Sequence, residues 1–172
     1  VTPGTTEETA ALLAACGEHG LVVVPFGGGT SVVGGLAGMD PDDRPSIAVD
    51  LSRMASVQSL DVPSSLVTVG PGMRGPALEE ELAREGLTFG HLPQSWEFAT
   101  IGGYAATRSA GQASTGVGRF DELVAGLTLA TPSGVLEVGH PPATAAGPDL
   151  LGLALGSEGT LGVITEVTLR VR

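Results

Sequence analysis

The stretch "VVVPFGGGTSVVGG" (Val22–Gly35) runs from an apolar, strand-like segment straight into five glycines within nine residues. A glycine-rich turn after a buried strand commonly holds a phosphate, because several backbone N–H groups can converge there without side-chain obstruction. In "PFGGGTS" the hydroxyls of Thr30 and Ser31 would add two further donors. An ordinary turn between a strand and a loop uses the same residue types, and local spacing alone leaves both readings open.

Composition narrows the classes. The chain has 172 residues, enough for one domain or two closely packed lobes with a real core. It is 42% hydrophobic and 16% charged, with 27 Gly and 12 Pro, a turn-rich globular mixture rather than a disordered or coiled-coil one. The net charge of −11 argues against nucleic acid and anionic membrane as partners. All 8 basic residues are Arg, so Schiff-base chemistry and the lysine of an ATP P-loop are excluded. The single cysteine, Cys16, rules out an intrachain disulfide framework and the usual thiolate metal sites, so no metal is expected. Its place is the apolar face of a first helix. No apolar run approaches the ~20 residues of a membrane span. No signal peptide is visible, and a cytoplasmic location is expected. Val1 at the start and a strand-like "VTLRVR" at the end suggest a piece of a longer chain.

"TTEETAALLAACGEHG" carries a capping-box pattern from Thr5 to Glu8, an apolar face at Leu12, Leu13 and Cys16, and a stop at Gly20. "LVVVPF" reads as a buried strand and Ile47–Leu51 as a second, after a polar, Pro-containing loop. "SVQSLD" and "SLVTVG", joined by "VPSS", read as a hairpin, and "LVAGLTLATPSGVLEVG" as another that turns at "TPSG". "PALEEELAREG" is an acidic helix with Pro76 in its first turn, Thr100–Arg108 a short helix, "GPDLLGLALGSEG" a third, and "LGVITEVTLRVR" a final strand. The expected class is α+β in two lobes, a small mixed one over 1–55 and a larger, mainly antiparallel one over 56–172.

Two glycine patterns mislead. Gly29 and Gly34 have P-loop spacing, but Gly35 and Leu36 stand where Lys and Ser/Thr must follow. "GPGMRG" (Gly70–Gly75) follows a strand and opens a helix, as a dinucleotide fingerprint does. There Pro76 removes an N–H, and Glu79, Glu80 and Glu81 place negative charge in or near the first turn, where a pyrophosphate would be repelled. This stretch reads as a tight turn before a capped acidic helix. Two distant segments weigh more. "HLPQSWEFATIGGYAATRSAG" (His91–Gly111) combines hydroxyls at Ser95, Thr100 and Thr107 with small residues at Gly102, Gly103, Ala105 and Ala106. "GSEGTLGVIT" (Gly156–Thr165) is a further glycine-and-hydroxyl turn with Glu158 between glycines. Three such segments suit one long polar cofactor buried along the domain.

Together "PFGGGTS", "GHLPQSWEFATIGGYAATRSAG" and "GSEGTLGVIT" resemble, in order and spacing, the PCMH-type FAD-binding domain of the vanillyl-alcohol-oxidase superfamily of FAD-linked oxidases. The resemblance covers nearly the whole chain and is strongest to the alkylglycerone-phosphate-synthase branch. D-lactate and glycolate dehydrogenases share the broader pattern. It implies an FAD domain of an FAD-dependent oxidoreductase, with flavin N5 as reactive centre. In the synthase branch N5 relays the replacement of an acyl by an alkyl group, and in the hydroxy-acid branch it accepts a hydride. Pro25, Phe26, Gly27, Gly28, Gly29, Thr30 and Ser31 would wrap the pyrophosphate. Pro93 to Ala99, above all Pro93, Gln94, Ser95 and Trp96, would line the central part of the cofactor, with Ser95 a hydrogen-bond donor. Tyr104 to Thr107, with Tyr104, Ala106 and Thr107 foremost, would pack close to flavin and ribityl chain, and Thr100, Gly102 and Gly103 would also bind the cofactor. Glu158, Gly159, Thr160, Gly162, Val163 and Ile164 would bind the flavin–adenine region.

Two departures matter. Covalent members often carry His in the glycine loop where Thr30 stands, and a hydroxyl is a poor substitute for imidazole, so non-covalent FAD is expected. The synthase branch usually has an Arg shortly before "GPD" where this chain has Ala143, which counts against authentic synthase activity. In the family a second, substrate-binding cap domain supplies most catalytic residues. None is identified here, and a small-molecule substrate would be held by that missing domain. A catalytically inert FAD-binding module and a homodimer both stay open. His19 is expected to cap the first helix and His140 to face solvent. His91 and Arg108 each have a cofactor reading and a structural one.

Overall fold

A computed structural model describes residues 1–37 and 44–172. The first helix, α1 (Thr6–Glu18), starts where Thr5 Oγ1 accepts the Glu8 N–H at 3.1 Å, and Glu8 reaches back to the Gly4 N–H at 2.7 Å. His19 occupies its C-cap and Gly20 follows at φ +64°, so the chain leaves the helix through a left-handed turn. Thr9, Leu13 and Cys16 form its buried face. Strands β1 (Val22–Phe26) and β2 (Ser46–Asp50) pair in parallel as a two-stranded sheet. The Pro-containing loop expected between them falls largely on 38–43, outside the described residues.

The second sheet has five antiparallel strands in the order β3-β4-β7-β5-β6. These are β3 (Val57–Asp61), β4 (Leu66–Val69), β5 (Val124–Thr131), β6 (Gly134–Val138) and β7 (Val163–Arg170). Both expected hairpins are present, and β7 enters between them. Val67, Val69, Leu127, Leu129, Val167 and Leu169 supply the core from this sheet. Against them lie helix α2 (Gly75–Ala83), through Leu78 and Leu82, and helix α3 (Ile101–Thr107), through Ile101, Tyr104 and Ala105. Leu78 and Leu82 sit one helical turn apart and are fully buried, each worth about 1.5–3 kcal/mol of transfer free energy. A smaller cluster of Leu13, Val49, Leu51, Met54, Ala130 and Val163 joins the two sheets.

The "GPGMRG" turn is a support. Its Gly72 lies against the Leu51 carbonyl so closely that a Cβ there would collide with backbone. The carbonyls of Pro71 and Met73 accept the N–H groups of Gly102 and Ile101, which seats α3 on this turn. The acidic residues of α2 differ from expectation: its first turn holds none, and the carboxylates begin one turn later. Glu79 is engaged by the Thr88 hydroxyl at 2.7 Å and the Gly90 N–H at 2.8 Å, so it fastens the following loop. The short helices α4 (Ser114–Val117) and α5 (Phe120–Leu123) were not anticipated, because each is a single turn and too short to show a helical period. Helix α6 (Leu150–Ala154) lies within the expected segment, capped by Asp149. Among the described residues, no helix is long and apolar enough to cross a membrane.

Candidate functional site

β1 ends where the Leu51 N–H donates to the Phe26 carbonyl at 3.2 Å. Beyond it the backbone N–H groups of residues 27–31 donate to no acceptor among the described residues, and the Thr30 and Ser31 hydroxyls are likewise unpartnered there. Gly28 presses its α-carbon onto the Phe98 carbonyl and the Ala99 α-carbon, space that any side chain would fill. The loop therefore presents five free amides and two hydroxyls over a backbone anchored from behind.

This loop forms one wall of a cleft of about 380 Å³, within the size range of small-molecule and cofactor sites. The opposite wall is α3. Thr100 caps it by accepting the Gly103 N–H at 3.3 Å, and Gly102, Gly103, Ala106 and Thr107 present a surface of small residues and one hydroxyl. Tyr104 lines the cleft but is only 1% exposed, and burial pushes its phenol up to about 12, so it remains protonated at neutral pH. The third wall is the turn leading into β7. Glu158 sits there in the left-handed region at φ +50°, its N–H bonded to the Ala106 carbonyl at 3.1 Å. That bond ties the turn to α3. Glu158 is the one carboxylate of the lining, and no Arg or His side chain belongs to it among the described residues.

Those unpartnered amides, with the cradle that a Cβ would fill, fit a pyrophosphate, whose oxygens only accept hydrogen bonds. Small residues on α3 fit a flat ring system lying close to backbone.

The expected residues Pro25 to Ser31, Ser95, Thr100, Gly102, Gly103, Tyr104, Ala106, Thr107, Glu158, Gly159, Gly162, Val163 and Ile164 all line this cleft. Pro93, Gln94, Trp96 and Thr160 do not. Pro93 is buried and Gln94 exposed beside the cleft. Trp96 stacks on Phe89 at 5.9 Å and closes over Gly75. Thr160 turns its hydroxyl to the Ser157 carbonyl at 2.7 Å, and lines a neighbouring hollow beside α1. Ala99, the end of the expected Pro93–Ala99 run, lines the cleft too, whereas Val32, Val33, Gly35, Leu36, Leu51, Pro71 and Ser109 line it without having been anticipated. Pro71 could have been found, since it belongs to the "GPGMRG" turn that carries α3. Ser109 carried no signal of its own.

The other ionisable candidates resolve structurally. Arg108, at φ +48°, donates to the carbonyls of Leu155 and Gly152 and faces Asp121 at 3.6 Å, so it ties α3 to α6 instead of reaching a ligand. His140 is exposed beside Glu137. His91 is fully buried behind Tyr104 and outside the cleft lining, with its Nε2 2.9 Å from Ser109 Oγ.

Comparison with known proteins agrees with this geometry. The chain is 34% identical over 171 residues to the alkyldihydroxyacetonephosphate synthase of Dictyostelium discoideum, covering 99% of this chain and 28% of that protein. It is 37% identical over 174 residues to a mitochondrial D-lactate dehydrogenase (cytochrome) of Arabidopsis thaliana, covering 100% of this chain and 30% of that one. A solved alkyldihydroxyacetonephosphate synthase superposes with a TM-score of 0.92 at 34% identity, covering all of this chain and 31% of the other. The two-sheet arrangement is thus the PCMH-type FAD-binding fold. The chain spans about a third of the length of these relatives. A family described as "FAD binding domain" matches residues 1–139, and with the amide-lined cleft inside that match the chain belongs to this family of flavoenzymes, whose cofactor is FAD.

Proposed function

We propose that this chain is the FAD-holding part of an FAD-linked oxidoreductase of the alkyldihydroxyacetonephosphate-synthase type, with the cofactor bound non-covalently. The observation that carries the reading is the row of unpartnered amides over residues 27–31, in a loop that lines a cleft walled by small residues. The N–H groups of 27–31 and the hydroxyls of Thr30 and Ser31 take the pyrophosphate. Gly102, Gly103 and Ala106 bring backbone close to the flavin, while the Tyr104 hydroxyl, protonated at neutral pH, donates to the Trp96 carbonyl at 3.5 Å. When bound, FAD supplies an electrophilic N5 able to accept a hydride or to relay a group exchange. The lining supports non-covalent binding. It contains neither His nor Cys among the described residues, and Thr30 offers only a poorly nucleophilic hydroxyl. Residues 1–55 and 56–172 serve as two lobes around the cofactor, and a further domain supplies the substrate pocket.

Purified protein supplied with FAD should be yellow, and acid precipitation should leave the flavin in the supernatant. Flavin in the pellet refutes non-covalent binding, and a protein that gains no flavin refutes the whole reading. A hydroxy-acid dehydrogenase is the second reading, favoured by the 37% identity to the Arabidopsis enzyme and by Ala143. With the full-length protein, 2-hydroxy-acid oxidation bleaches the flavin and needs an electron acceptor, whereas the synthase exchange needs none.

A further inference from the structure

His91 is a fully buried imidazole in an aromatic cage, with ring centroids 5.0 Å from Tyr104 and 5.2 Å from Phe120. Its Nε2 lies 2.9 Å from Ser109 Oγ, and its Nδ1 is buried with no partner. Burial pushes its pKa down to about 4, so at neutral pH the ring is uncharged and carries one N–H and one lone pair. The backbone of Ser109 is fixed at both ends: its N–H donates to the Tyr104 carbonyl, and its carbonyl accepts from Phe120, each at 3.0 Å. Ser109 lines the cleft, and Nε2 of His91 is the one partner of its hydroxyl among the described residues.

The two tautomers are not equivalent here. A proton on Nδ1 places an unbonded donor inside the cage, whereas a proton on Nε2 leaves only a lone pair there. Orphaned buried donors are the rarer and costlier defect. The ring therefore donates from Nε2 to Ser109 Oγ. The serine proton must then point away from His91, and the open direction is the cleft.

We propose that Ser109 donates a hydrogen bond to an acceptor atom of bound FAD, and that His91, which does not reach the cleft, is the positioning residue that turns the Ser109 hydroxyl toward it. The proposal rests on the FAD reading above and adds a contact from a residue of the His91–Gly111 segment that had carried no cofactor role.

The test measures FAD affinity, by quenching of flavin fluorescence, for the wild type, Ser109→Ala, His91→Phe, His91→Gln and the Ser109→Ala/His91→Phe pair. Loss of one neutral hydrogen bond should weaken binding by about 3- to 10-fold in Ser109→Ala. His91→Phe should lose a similar factor, the double variant no more than either single one, and His91→Gln, whose amide can donate to Oγ, should recover part of it. Nitrogen NMR of the FAD-free protein should show the Nε2–H tautomer. Unchanged affinity in Ser109→Ala, losses that multiply in the double variant, or an Nδ1–H ring would each overturn the proposal. The serine variant and the tautomer remain decisive if His91→Phe fails to fold. A wild type that binds FAD while Ser109→Ala binds equally well rejects this contact alone, whereas a wild type that takes no FAD rejects the underlying reading and this proposal with it.

Discussion

Gly28→Ala should damage FAD binding more than stability, and the structure says why. Gly28 has no positive φ, so the alanine backbone itself is unstrained. The difficulty is contact: the new Cβ would meet the Phe98 carbonyl oxygen and the Ala99 α-carbon, both main-chain atoms with no flexible end to swing aside. Either the loop or residues 98–99 must retreat. Overpacking of this kind costs about 1–3 kcal/mol where the surroundings are rigid. The loop is the softer side, because its amides are not fastened to other protein groups among the described residues. It should therefore be the part that moves, carrying its N–H groups away from the pyrophosphate. Spending that free energy on binding gives a loss of about 10- to 100-fold in affinity, with a thermal midpoint lowered by only a few degrees. Titration calorimetry with FAD and a thermal melt without it separate the two effects. Gly116, with open space around its α-carbon and an ordinary φ inside α4, provides the control: Gly116→Ala should leave affinity unchanged and stabilise by up to about 1 kcal/mol. If Gly28→Ala binds FAD as tightly as the wild type, the cradle argument is wrong.

Other consequences are simpler to state. Thr100→Ala removes the cap of α3 and should cost about 1 kcal/mol, read as a thermal midpoint lower by about 2–4 °C for a chain of this size, with Thr100→Ser keeping most of the stability. His91 is held neutral by burial, its pKa about 4 against an ordinary 6.5. The unfolded chain thus binds a proton that the folded one refuses between those values, so stability is full above about pH 6.5 and declines as pH falls toward 4. Urea unfolding at pH 7 and pH 5 should show about 2 kcal/mol of this loss in the wild type and not in His91→Gln; equal losses in the two proteins would refute it. No cation lines the cleft among the described residues and the chain carries a net charge of −11, so raising salt should leave FAD affinity unchanged or improve it. A clear weakening between low and high salt would show that an arginine reaches the phosphates.

What the sequence revealed and what it hid divide along physical lines. Periodicity exposed both hairpins and α1, because alternation and capping are local signals that survive in any context. The three segments that meet at the cleft were legible as well, since tight runs of glycine and hydroxyl residues are what a backbone site for a phosphate would demand, and three such runs are improbable by accident. Trp96 illustrates the opposite case. It lies among cofactor-segment residues, yet it packs on Phe89 and Gly75, and sequence neighbourhood cannot say which side of a turn a side chain takes. Glu79 is similar: its charge looked like a device for repelling anions, whereas its partners Thr88 and Gly90 lie 9 and 11 residues ahead and show only in three dimensions. Ser109 was invisible for the same reason, its place in the cleft showing only once the chain is folded. The glycine pattern that best imitated a nucleotide site, "GPGMRG", is instead the platform on which α3 rests. Gly70 and Gly72 answer to the carbonyl oxygens of Met54 and Leu51 and Gly75 to the Trp96 ring, which shows that a glycine run reports close approach by something and that only the fold says whether that something is a ligand or the protein itself.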